Sequence, residues 1–304
     1  MGLGYLYSYQ PPEFIPGMVQ ILPEPKEISL ITTDFNGTVW ISTNEDIYQF
    51  IDDAFSNHIF HKGFQTSKGT IINQSTVVNF GKEAYFYQPD KLPIPVNEFL
   101  RRETYLANRT PFVIDQQNRL WFYAEENGLT ILDHDELQSL GKFSGDGKEV
   151  SNLYLVDENR VWLSTPGSIW EYVDDTWQQF ALPDANATLT QFTQGIDGTI
   201  YGASNTKVYQ FQDETVRKFE LPVPGKNALY LGTHNDGSII YIDNQLVARF
   251  VNGKWQSFLF ENIGINSATM DHDGNIWLYT DQVVLRLDSD VFEDYRPIPT
   301  EISH

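Results

Sequence analysis

The sequence predicts an all-β fold, a seven-bladed β-propeller of four-stranded antiparallel blades, and three observations carry that expectation. Aromatic residues make up 14% of the chain, 16 of them Tyr, beside 21 Gly, a composition that favours strands over helices. A polar turn followed by an alternating strand with a central aromatic recurs at nearly constant spacing. Between recurrences lies room for two more strands, each bounded by Asp, Asn or Gly.

The recurring strand first reads Gly37-Thr38-Val39-Trp40-Ile41-Ser42-Thr43. It returns at Asn118 to Tyr123, Asn159 to Thr165, Gly198 to Tyr201, Gly237 to Tyr241 and Gly274 to Thr280, with Glu83-Ala84-Tyr85-Phe86-Tyr87 as a degenerate copy. With Trp40, Tyr85, Trp121, Trp162, Tyr201, Ile240 and Trp277 as equivalent anchors, the steps are 45, 36, 41, 39, 39 and 37 residues. Each of the seven units then holds strands A to D: a small or apolar run, the turn, the anchor strand, and an outer hairpin. Gly167 to Tyr172 with Thr176 to Phe180, and Leu246 to Phe250 with Gly253 to Phe258, show the outer pair. Helical repeats of similar period need apolar spacings of three and four, which are absent.

The propeller is expected over residues 26–296, with an N-terminal segment at 1–25 and a tail at 297–304. Tyr5 to Tyr9 with Met18 to Pro23 resembles an outer pair, yet the last unit has candidates of its own in Val283 to Leu287 and Val291 to Tyr295. The surplus pair fits an extra closing strand on the last blade, a partial eighth blade, or the remnant of a blade from a longer chain. The closing strand is favoured because an open ring leaves an unpaired sheet edge.

With 41 acidic against 20 basic residues and a net charge of -21, the surface repels phosphate backbones, so nucleic acid is not an expected partner. The chain has no Cys, which removes disulfides, thiolate metal sites and a Cys nucleophile while leaving the redox compartment open. No apolar run approaches the roughly 18 residues a membrane helix needs, so no membrane insertion by this chain is expected. The first 30 residues lack the basic start and apolar core of a signal peptide.

The pattern Asp-x-x-Gly-x-x-Trp-apolar-x-Thr, in Asp34 to Thr43 and Asp271 to Thr280, resembles the two-component regulator propeller repeat. The resemblance covers about residues 26 to 296 and implies the periplasmic or extracellular ligand-sensing part of a bacterial sensor, hence an extracytoplasmic location. The chain also looks like the streptogramin B lyase group of single propellers, with Leu-Pro-x-Pro linkers in Leu22 to Pro25 and Leu221 to Pro224. That group uses a magnesium ion and a histidine base near the central axis. Here His234 and His272 fall inside the turn between strands A and B, so no lyase residue carries over.

The densest chemistry, Asp271-His272-Asp273-Gly274-Asn275, reads as a hairpin turn rather than a calcium site, which needs six to eight oxygens. Asp bonds the turn and Gly supplies positive φ. His58 and His61 read as an outer strand and loop, where a third metal ligand is wanting. Function in such a fold belongs to the face bearing the D to A connections and the B to C loops.

Eleven residues before each anchor, at the start of strand A, stand Ser29, Gln74, Thr110, Ser151 beside Asn152, Thr190, Leu229 and Asn266. This row suits the wall of a wet channel and also ligand contact. The B to C loops add acids, Glu126 among them, against one cationic island of Arg101, Arg102 and Arg109. Such an island suits a carboxylate, a sulfated sugar or an acidic loop, or pairs with Glu103 and Glu126. The candidate ligand contacts are thus Gln74, Arg109, Thr110, Glu126, Asn152, Thr190 and Asn266.

No nucleophile or phosphate-binding motif occurs. The leading expectation is a non-enzymatic propeller that binds a small molecule, saccharide or protein on its loop face, without a cofactor. The alternative is a metal-dependent lyase or hydrolase with magnesium or calcium at the channel mouth.

Overall fold

The computed structural model describes the strand backbone between Met18 and Pro95 with the turn at 37–38. It also describes residues 111–292 except 116, 118, 125–126, 134–135, 144–148, 213–214, 224, 226, 261–263 and 281–282. Every regular element is a strand. After β1 (Met18–Gln20) come β2 (Ile28–Thr33), β3 (Val39–Thr43), β4 (Ile47–Ile51) and β5 (Ala54–His58), then β6 (Gly69–Asn73), β7 (Thr76–Phe80), β8 (Ala84–Tyr87) and β9 (Ile94–Pro95). Next are β10 (Phe112–Ile114), β11 (Leu120–Ala124), β12 (Gly128–Asp133) and β13 (Glu136–Gly141), then β14 (Asn152–Leu155), β15 (Val161–Thr165), β16 (Ser168–Val173) and β17 (Thr176–Ala181). The chain continues through β18 (Gln191–Gln194), β19 (Ile200–Ala203), β20 (Lys207–Gln212) and β21 (Thr215–Glu220), and β22 (Ala228–Thr233), β23 (Ile239–Asp243), β24 (Leu246–Val251) and β25 (Lys254–Leu259). It closes with β26 (Ile265–Met270), β27 (Ile276–Thr280) and β28 (Val284–Leu287).

Among the described residues these strands form seven four-stranded sheets, each an antiparallel meander in chain order except the last, whose order is β1-β28-β27-β26. Burial within a sheet is graded as the sequence patterns require. In the fourth sheet β15 is buried at all five positions, whereas the outermost strand β17 is exposed at four of six. Middle strands covered on both faces therefore read as apolar runs, and outer strands alternate.

The core lies between sheets. One cluster joins Trp121 and Ile131 of the third sheet to Leu153 and Leu163 of the fourth. Others link the fourth to the fifth through Trp162 and Tyr209, the fifth to the sixth through Val208 and Tyr241, and the sixth to the seventh through Ile242 and Leu278. A further cluster sets Trp277 and Val284 of the seventh sheet against Ile31, Ile41 and Tyr48 of the first. First and last sheets are thus neighbours, and the innermost strands β2, β26, β22 and β18 follow one another around an axis.

Two placements differ from the sequence reading. In the second sheet the anchor strand is β7 and Tyr85 sits in the third strand, β8. The aromatic run Tyr85-Phe86-Tyr87 mimics the anchor, while the true second strand carries Val77 and Val78 there. In the seventh sheet the N-terminal strand β1 lies on the last blade, as favoured, but directly beside β28 as its fourth strand and not as an extra one, paired as Met18 with Leu287, Val19 with Arg286 and Gln20 with Leu285. Val291 and Phe292 instead form a turn that buries the Phe292 ring 5.0 Å from Phe258 of the sixth sheet.

Candidate functional site

The turns between strands A and B account for the repeated motif atom by atom. Asp271 Oδ1 accepts the amides of Asp273 (3.0 Å) and Asn275 (2.8 Å), and Oδ2 accepts Asn275 Nδ2 (3.0 Å) and the indole of Trp277 (2.8 Å). Asp115 repeats the arrangement with Gln117 N, Arg119 N, Arg119 Nε and Trp121 Nε1. One carboxylate six residues before the anchor thus shapes the turn and accepts the hydrogen bond of a buried indole N–H. The final Thr of the motif closes the next turn: Thr280 Oγ1 donates to Val283 O at 3.1 Å, and Thr165 Oγ1 to Ser168 O at 3.4 Å.

These turns also interlock around the ring. Gly274 has φ of 85°, and a Cβ there would lie 2.6 Å from Nε2 of His234 in the preceding turn. Gly37 likewise faces His272, with a Cβ 2.5 Å from its own. Asn235 Nδ2 donates to His272 O at 3.1 Å, and Gln117 Nε2 to Glu158 Oε1 at 3.2 Å. His234 and His272 are therefore spacers between neighbouring turns. His234 Nδ1 lies 2.9 Å from Asp236 Oδ1, which also accepts Ser238 Oγ at 2.6 Å, while Arg249 bonds the other oxygen. Burial would raise the Asp236 pKa, but the bonds from Ser238, His234 and Arg249 outweigh it and hold the carboxyl below its usual range.

The opposite face bears the loops. Asn244 Nδ2 reaches sideways to Ile265 O (3.0 Å), and Asn205 Oδ1 accepts Ala228 N (3.4 Å), so each ties a B to C loop to the start of the next sheet. Asp184, in the connection from the fourth sheet to the fifth, receives Lys218 Nζ (2.8 Å), Tyr209 Oη (2.8 Å) and Lys207 Nζ (3.0 Å). Those donors, Lys218 foremost, push its pKa far below the ordinary carboxylate value. The sequence reading missed this cluster, whose lysines stand diagonally across the outer hairpin, Lys218 opposite Tyr209 and Lys207 opposite Glu220.

Of the seven candidate ligand contacts, Arg109, Thr110, Glu126 and Gln74 lie outside the described residues. Asn152 and Thr190 come together: Asn152 Nδ2 donates to Thr190 O at 2.7 Å and its Oδ1 accepts Leu153 N at 2.8 Å. The structure therefore uses Asn152 to tie the fourth sheet to the fifth. Asn266 stands exposed as the second residue of β26.

Further ties line the channel wall, with Thr193 and Thr233 hydroxyls 3.3 Å apart, Thr33 and Thr269 3.1 Å apart, and Ser267 Oγ bonded to the Ile31 backbone at 3.2 Å. His58 lies in β5, and among the described residues no three His, Asp or Glu side chains converge to hold a metal ion.

No family model matches the chain, and no curated protein matches it in sequence. Solved structures do match in shape. A streptogramin B lyase superposes with a TM-score of 0.70 at 14% identity, covering 88% of this chain and 96% of the lyase. The extracellular domain of a putative hybrid two component system, BT4673 from B. thetaiotaomicron, gives 0.66 at 15% identity, covering 89% of this chain and 39% of that one. The chain is a β-propeller. PorZ, a surface component of the type-IX secretion system of Porphyromonas gingivalis, gives 0.63 at 12% identity over 93% of this chain and 40% of its own. Both groups that the sequence resembles are thus among the propellers of similar shape.

Proposed function

We propose that the chain is a seven-bladed propeller serving as the recognition or sensory module of an extracytoplasmic bacterial protein, with its ligand or partner held on the loop face. The observation that supports this reading is the unequal use of the two faces. On the turn face the carboxylates of Asp115, Asp236 and Asp271 are taken up by hydrogen bonds at their turns, and the turn at His234 seats on that at Gly274 as the turn at His272 does on Gly37. The loop face carries the long inter-sheet connections and the exposed Asn266 at the start of an innermost strand. Similarity to extracellular sensor domains and to a surface component supports the location.

The test is a thermal-shift screen of sugars, peptides and divalent ions, repeated with Arg109→Ala, since a ligand selective for the native state raises Tm by mass action. A stabilising sugar or peptide whose effect Arg109→Ala reduces supports the reading. Stabilisation by ions alone would count against it.

The near-complete coverage of a streptogramin B lyase keeps a second reading in play, a magnesium-dependent lyase at the channel mouth. It requires a metal held by side chains from several blades. Incubation with a type B streptogramin and magnesium, followed by mass spectrometry, decides it: a ring-opened product supports the lyase, and recovery of intact substrate defeats it.

A further inference from the structure

We propose that the edge of β28 is a strand-acceptor site and that its occupant, β1, exchanges between two copies of this chain to give a strand-swapped dimer. The outermost strands β13, β17, β21 and β25 are six residues each and join their partners through short local turns. Asp174 and Asp175 alone separate β16 from β17. Such a hairpin re-forms with itself far faster than with a neighbour, because its loop closes cheaply. The last sheet is different. Its fourth strand comes from the opposite end of the chain and pairs at three positions, about half the ladder of those four hairpins; β9 pairs at two, but follows its partner β8 directly in the chain, whereas the closure by β1 is not local.

Much of the acceptor's packing is made with neighbouring sheets: Leu285 and Leu287 share a cluster with Ile242 and Val247 of the sixth sheet, Val284 and Trp277 share one with Ile31 and Ile41 of the first, and Phe292 anchors the following turn on the sixth sheet. Loss of β1 would therefore leave a folded sheet with an unpaired edge, a template for any strand of suitable register. The same segment of a second copy has that register by identity, which makes swapping a low-cost route to a dimer. Two copies of net charge -21 repel, so exchange should rise with salt as the repulsion is screened.

Absence of Cys from the natural sequence makes the test clean. In V19C/R286C the two thiols occupy directly opposed positions of the ladder, within the Cα separation a disulfide accepts. The full chain is unfolded, refolded across a range of concentrations in high salt, oxidised and run on a non-reducing gel. Expected is an intramolecular crosslink on dilute refolding and a disulfide-linked dimer on concentrated refolding. Each tenfold rise in concentration should lift the dimer-to-monomer ratio about tenfold while dimer is the minor form.

V19C alone should give none of this dimer, and the unsubstituted chain should show the same dimer by light scattering. Only intramolecular crosslinks at every concentration, or equal dimer from the single variant, would overturn the proposal. Failure of V19C/R286C to refold leaves light scattering of the unsubstituted chain as the deciding measurement: a concentration-independent monomer sinks the idea.

Discussion

At the residue scale, the motif is legible because each of its letters has one physical task. Asp271 serves four donors, so Asp271→Ala removes the carboxylate acceptor of the Trp277 indole and of three further N–H groups. It should destabilise the protein by roughly 2–4 kcal/mol in urea unfolding, and Asp115→Ala should do the same. Added calcium should not raise the unfolding midpoint of the unsubstituted chain, as it would if Asp271 and Asp273 ligated the ion.

Asp184 gives a pH signature. Its folded pKa lies below the ordinary aspartate value of 3.8, so its contribution is complete above about pH 4 and fades as pH falls toward the depressed value. Asp184→Asn should therefore flatten the acid limb of the stability curve and leave its shape above pH 5 unchanged. This cluster was invisible in sequence because its acid and its two lysines lie 23 and 34 residues apart, with no repeat to mark them.

At the element scale, turns act in pairs. Gly274 combines φ of 85° with the His234 ring at van der Waals range, so Gly274→Ala should cost about 1–2 kcal/mol for the backbone and more for the clash. The second part should be recovered in His234→Ala/Gly274→Ala, and a double-mutant cycle with zero coupling would contradict the interlock. Phe292, 2% exposed, should behave as a core residue despite following the last strand, with Phe292→Ala costing about 3–5 kcal/mol.

The second sheet shows where reading by elements fails. A strand is recognised by its aromatic, and β7 offers Val77 and Val78 while β8 offers Tyr85 and Phe86, so the anchor was displaced. The polar row at the start of strand A poses a different difficulty. Polar side chains are visible in sequence, but Asn152 spends its amide on Thr190, 38 residues on in the next sheet, and a lateral bond of that kind leaves no local trace.

At the scale of the whole molecule, the repeat fixes sheet count and meander order, since one turn-and-anchor grammar specifies each unit. The closing of the ring is not repetitive and depended on which terminal strand reaches the β28 edge. The two faces divide the work: one is knitted from self-satisfied turns, the other carries the connections and the proposed ligand.

Hydrogen exchange of the full chain, with and without whatever ligand the thermal screen returns, tests that division most directly. Protection at the loop-face segments around Ser151, Thr190, Asn205 and Asn266 is the predicted result. Protection confined to the turns around Asp115, His234 and Asp271 would contradict it.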